Sequence, residues 1–297
     1  MTTDPRRTAY RPYRLATRRG RVFRRLVHAA ARAAGLPHRM DLGWPRFEGG
    51  VGDGPPIVLV HGFGVDGTTM LQLARILVKR HRVIVPDLPG FGLHGTDSAP
   101  LGIDTYLHAL DDLLDRLELP HPVLVGSSMG GAITANFAAT RPSVPAGIVL
   151  IGPAGIEPPV DSEVFAAAKR DEHLLRIHDL ASFERIYALN FTKPPFMPRF
   201  LRRVVAAEAS RRADDHERIL RSLEEVMLAG PDRYRTITCP VEIVWGGDDR
   251  IIDPSAIDLW KSVLPHAGVT IIENAGHSTM VERPQEVAEV IERLLKA

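Results

Sequence analysis

Five residues, Gly126-Ser127-Ser128-Met129-Gly130, join the apolar run Val123-Leu124-Val125 to a helix-like stretch spanning residues 132–139. Strand, tight turn and helix in that order, with a serine at the tip, make a nucleophile elbow. Small residues two before and two after the serine answer a packing demand, because strand and helix approach closely there. The turn strains the backbone and carries the Ser128 oxygen clear of the sheet. The motif alone is moderately specific, since Gly and Ser are common turn residues, and the strand-to-helix context raises its specificity.

The rest of the sequence agrees. Ile57-Val58-Leu59-Val60 and Val83-Ile84-Val85 are short continuous apolar runs of the kind buried on both faces of a parallel sheet. Residues 147–151, 241–245 and 269–272 supply three more. Helical patterns fall over residues 68–79, 104–118, 255–263 and 284–295. Six strands alternating with helices predict an α/β fold, a mostly parallel central sheet with helices on both faces. Residues 155–235 break the alternation with helix-like stretches and no strand. They read as a helical cap inserted after the fourth recognised strand, over the sheet edge where ligands bind. The predicted organisation is a basic arm over 1–39, a core of 40–154 and 236–297, and a cap of 155–235. A length of 297 residues accommodates one such domain with its insertion.

Charge is uneven. The whole chain carries +1, but residues 1–39 hold eleven arginines against Asp4 alone, which leaves the remainder at −9. Residues 1–19 are polar and read as poorly ordered. Residues 20–34 read as a helix with Val22, Phe23, Leu26, Val27, Ala30 and Ala34 near one face and arginines on the other. Three readings are open for it: an amphipathic helix on an anionic membrane surface, a helix packed on the body or on a neighbour, or part of a twin-arginine export signal at residues 17–23, whose apolar region Arg32 would interrupt. No apolar run approaches the roughly 20 residues that span a bilayer. The single cysteine, Cys239, precludes an intrachain disulfide and reads as a packing residue.

A serine hydroxyl needs a base, and the base an orienting acid. Of twelve histidines, His277 lies in the loop after the last strand, where the base belongs. The acid should follow the preceding strand, where Trp245-Gly246-Gly247-Asp248-Asp249 offers Asp248 and Asp249, with Asp253 nearby. The oxyanion that forms during acyl transfer needs backbone N–H donors. These are assigned to Met129, after the nucleophile, and to Phe63 in His61-Gly62-Phe63-Gly64, after the first buried strand.

These residues, with Pro86-Asp87-Leu88-Pro89-Gly90-Phe91-Gly92 and Met280-Val281-Glu282-Arg283-Pro284, resemble the serine hydrolases of the α/β-hydrolase fold over roughly residues 45–297. The resemblance selects Asp249, the last aspartate of the Trp-Gly pattern, as the acid. Phe191-Thr192-Lys193-Pro194-Pro195-Phe196-Met197-Pro198 further resembles the cap of monoacylglycerol lipase-like esterases. It implies a carboxylic-ester hydrolase acting through an acyl-enzyme on Ser128. Two readings are open for the apolar cap residues Phe191, Phe196 and Met197, with Phe165, Leu174 and Leu175: they line an acyl pocket, or they pack the cap without touching a ligand. The implied substrate is a small-molecule acyl ester, a monoacylglycerol or a short- to medium-chain ester, and the chemistry implies no metal and no organic cofactor. A carbon–carbon bond hydrolase of ring-fission products uses the same triad and is the alternative, with a non-catalytic binding protein behind it. An aspartate nucleophile, as in epoxide hydrolases, is disfavoured by Ser128. The expected location is cytoplasmic or membrane-peripheral through the basic helix, with nucleic acid disfavoured as a partner by the acidic body.

Overall fold

The computed structural model describes Tyr13, Leu15 and residues 17–95, 102–228 and 230–296. The expected lack of order over residues 1–12 lies outside them. Eight strands form one sheet: β1 (His38–Arg39), β2 (Arg46–Gly49), β3 (Ile57–Val60), β4 (Val83–Pro86), β5 (Val123–Ser127), β6 (Gly147–Ile151), β7 (Val241–Gly246) and β8 (Gly268–Ile272). Their spatial order is β1-β2-β4-β3-β5-β6-β7-β8, parallel from β4 to β8 and antiparallel where β2 meets β1 and β4. The six expected strands are all present. The two antiparallel ones are additions to the sequence reading.

Alternate strand residues feed two cores. Val58, Val60, Leu124 and Leu150 face a cluster with α3 (Ile103–Arg116), α4 (Met129–Thr140) and α9 (Ala256–Val263). Ile57, Leu59, Val125 and Val149 face the other, with α2 (Leu71–Leu77) and α11 (Pro284–Leu294). Burial of every residue in β3, β4, β5 and β6 follows from that two-sided cover. Cys239 is buried in the first core, where desolvation pushes its thiol up to about 11 and keeps it protonated.

Between β6 and β7 the chain runs through α5 (Glu163–Ala168), α6 (Leu180–Leu189), α7 (Arg199–Ser210) and α8 (Ala213–Leu228). Residues 17–19, expected to lack order, cap and open α1 (Arg18–Ala33): the Thr17 side chain accepts from the Gly20 N–H. The apolar positions of α1 divide between two sides. At about 100° per residue, Gly20, Arg24, Val27 and Ala31 share one face. Gly20 and Ala31 are buried, whereas Val22 and Leu26 are 49% and 65% exposed. Arg24 rotates the helix inward by pairing with Asp66 at 2.6 Å, an interaction that hydrophobic periodicity cannot see. Among the described residues no helix is long and apolar enough to cross a membrane.

Candidate active site

The strand order reverses at β3, with β4 on one side and β5 on the other, and the loops after β3, β5, β7 and β8 gather at one edge of the sheet. Such a switch point opens a crevice at the carboxyl ends of the strands. Ser128 occupies the turn between β5 and α4 with φ 55° and ψ −119°, a left-handed conformation that costs a side-chain-bearing residue about 1–3 kcal/mol. It persists because its neighbours fix it: the Ser128 N–H donates to the Ile151 carbonyl at 3.0 Å, and the Ser128 carbonyl accepts from the Ala154 and Ala132 amides. The flanking glycines have no room for more. A Cβ on Gly130 would lie 2.3 Å from the Val60 oxygen, and one on Gly126 would lie 2.2 Å from the Gly130 oxygen.

Asp249 and His277 meet although 28 residues apart. Asp249 Oδ2 accepts from His277 Nδ1 at 2.7 Å, with both side chains buried. The other carboxylate oxygen, Oδ1, accepts from the Ile251 and Ile252 amides at 2.8 and 3.0 Å. The aspartate therefore has one free direction, toward the imidazole. Asp248 is exposed and accepts instead from the Thr192 hydroxyl, and Asp253 accepts from the Ser255 amide. Of the three aspartates, Asp249 is the one bonded to His277.

The loop carrying Phe63 is pinned from beneath. His61 is fully buried, and burial lowers its pKa and keeps it neutral. Its Nδ1 bonds the Gly62 carbonyl at 2.8 Å, and its Nε2 accepts from the Leu88 amide at 3.0 Å. A neutral imidazole can satisfy both roles at once. The Phe63 ring packs edge-on against Phe91 and His216. Met129 is the first residue of α4, where a helical amide has no partner inside the helix.

Ser128, His277, Phe63 and Met129 line one cavity of about 430 Å³, within the range of small-molecule sites. Its remaining wall is mostly apolar, with Ile156, Phe165, Leu175, Phe191 and Met197 supplied from the cap side. Two expectations are corrected. Phe196 is 89% exposed and lies outside the wall, while its neighbour Met197 lines it. Leu174 packs against the core instead.

Two further contributors carry no motif of their own. Glu282 accepts from the Gly276 amide at 2.7 Å, one residue before His277, and from the Lys193 amide at 2.9 Å. It ties the histidine loop to the cap. The Ser278 amide adds a second tie, donating to the Asn190 carbonyl at 3.0 Å. In the sequence only the resemblance around residues 280–284 hints at Glu282.

With this geometry in hand, the sequence matches the model of the alpha/beta hydrolase family over residues 57–290. Lipase 1 of Psychrobacter immobilis is 32% identical over 245 residues, covering 80% of this chain and 75% of that protein. Monoacylglycerol lipase ABHD6 of Homo sapiens is 26% identical over 268 residues, covering 82% and 76%. Among solved structures, a membrane phospholipase A described as a bacterial virulence factor superposes with a TM-score of 0.87 at 29% identity, covering 93% of this chain and 91% of that one.

Proposed function

The chain belongs to the alpha/beta hydrolase family, and we propose that within it the chain is a serine carboxylic-ester hydrolase that cleaves acyl esters, monoacylglycerols or short- to medium-chain esters, through an acyl-enzyme on Ser128. The observation that carries this reading is the buried 2.7 Å Asp249–His277 pair opening onto the same apolar cavity as the strained Ser128. The names of the lipase and monoacylglycerol lipase relatives support it.

In this reading Asp249 holds the His277 proton on Nδ1, so that Nε2 is a base. His277 takes the Ser128 proton as Oγ attacks the ester carbonyl. The Phe63 and Met129 amides receive the negative charge that develops on the carbonyl oxygen. His277 then protonates the leaving alcohol, and water repeats the sequence on the acyl-enzyme to release the acid. Placing a p-nitrophenyl ester series beside a vinylogous diketone tests the reaction class. Turnover of the esters with none of the diketone is expected; turnover of the diketone alone would overturn the assignment in favour of carbon–carbon cleavage.

The outward face of α1 belongs to the same reading. Val22 and Leu26 are exposed between Arg18, Arg19 and Arg25, a pattern suited to the surface of an anionic bilayer. Each arginine near such a surface contributes about 1 kcal/mol at most. Reversing Arg18 and Arg25 to glutamate should therefore weaken co-sedimentation with phosphatidylglycerol vesicles about tenfold or more at low salt. Equal binding by wild type and variant counts against the contact.

A further inference from the structure

Helix α1 precedes the segment that matches the family model, yet it reaches the cavity. Gly20, Phe23, Arg24 and Val27 line the same space as Ser128. Three attachments hold the helix there. At its start, the Thr17 amide and hydroxyl both donate to Glu208 Oε1 at 3.0 Å, which ties it to α7 of the cap. The contact is close at Gly20, where a Cβ would lie 2.8 Å from Thr17 Oγ1 and 3.0 Å from Glu208 Oε1.

In its middle, Arg24 pairs with Asp66 at 2.6 Å, three residues along the loop from Phe63. Burial alone would raise the Asp66 carboxyl, but Arg24 and Thr68 outweigh it and hold the group below the usual carboxylate range. At its end, Ala31 enters the second core, and His28 stacks on His38 at 4.0 Å. The helix is thus fastened to the cap, to the oxyanion loop and to the body.

A segment fastened at three points is a fixed wall, and the side chains it offers to the cavity set how much apolar ligand fits. We infer that α1 is the chain-length selector of this site: Phe23 and Val27 bound the space taken by the acyl chain of the ester. The inference rests on the ester-hydrolase reading and deepens it by assigning specificity to a helix outside the family-matched segment. Phe23 and Val27 are the apolar side chains that α1 offers to this space, and Arg24 Nη2 beside them is held by Asp66. Discrimination in an apolar pocket comes at about tenfold or more per methylene that fails to fit.

The test enlarges and trims this wall. Phe23→Trp and Val27→Phe should each lower kcat/KM for a 12-carbon p-nitrophenyl ester, relative to the four-carbon ester, by about tenfold. Phe23→Ala should shift the ratio the other way. A binding arm separates this inference from the reaction assignment. In the Ser128→Ala background, calorimetry with dodecanoate and butyrate should show Phe23→Trp weakening the longer ligand alone. Changed binding with no ester turnover in wild type would uphold the selector and sink the ester-hydrolase reading. Unchanged ratios and unchanged binding in narrowing variants that keep the wild-type circular dichroism would overturn the selector and leave the reaction standing.

Discussion

Ser128→Ala is expected to lower kcat/KM for an acyl ester by about 10⁴-fold or more while leaving the fold unchanged. The substitution removes one oxygen and nothing that shapes the turn. The backbone bonds to Ile151, Ala132 and Ala154 remain, and alanine bears the same left-handed conformation that serine already bears at φ 55°. The oxyanion donors and the cavity also remain, so the variant should retain the modest rate enhancement over water that such features give alone. Steady-state kinetics with a melting curve checks both halves. A variant that melts like wild type and retains most of its activity would show that the reaction does not pass through Ser128.

Asp249→Asn is expected to cost about 10⁴-fold in kcat, through the position of one proton. Oδ1 of Asp249 accepts two backbone amides, from Ile251 and Ile252. Asparagine can keep those bonds only by placing its carbonyl there, which turns its NH₂ group toward His277 Nδ1. That nitrogen must then accept, and the imidazole proton moves to Nε2, the atom that has to receive the serine proton. The fold should be little affected, because shape and backbone bonds are kept. Asp248→Asn is the control: its carboxylate is exposed and accepts from the Thr192 hydroxyl, away from His277, so its kcat should stay within about twofold. Equal losses in both variants would contradict the assignment of the acid.

The parts that the sequence displayed are those whose physics is local. A parallel strand covered on both faces must be nearly continuously apolar, so β3 to β6 announce themselves, and β7 and β8 follow from the same apolar runs with one face less covered. The elbow must have glycines where strand, helix and the Val60 carbonyl converge. The order of serine, aspartate and histidine follows from which loops the topology gathers. Strand β2 was hidden because it reads Arg46-Phe47-Glu48-Gly49. Arg46 is buried there with its charge met by Asp41 and Glu48, and no hydrophobic pattern marks an arginine compensated in this way. Strand β1 is two residues held by pairing with β2, which leaves almost nothing to read. Which side of α1 is buried was left open for the reason that hid β2: a paired arginine, Arg24, points inward while Leu26 points out. Phe196 shows the limit for the cap, where two neighbouring apolar residues of an irregular segment, Phe196 and Met197, face solvent and cavity, and composition does not reveal which takes which side.

If Ser128 is the nucleophile of an acyl-transfer site, a fluorophosphonate should find it. The intact protein is treated with a fluorophosphonate, digested, and its peptides are weighed and sequenced by mass spectrometry. A serine made nucleophilic by His277 and Asp249 should give a single adduct, located on Ser128 and absent from Ser128→Ala. An adduct on another residue, or equal labelling of Ser128→Ala, would contradict the account.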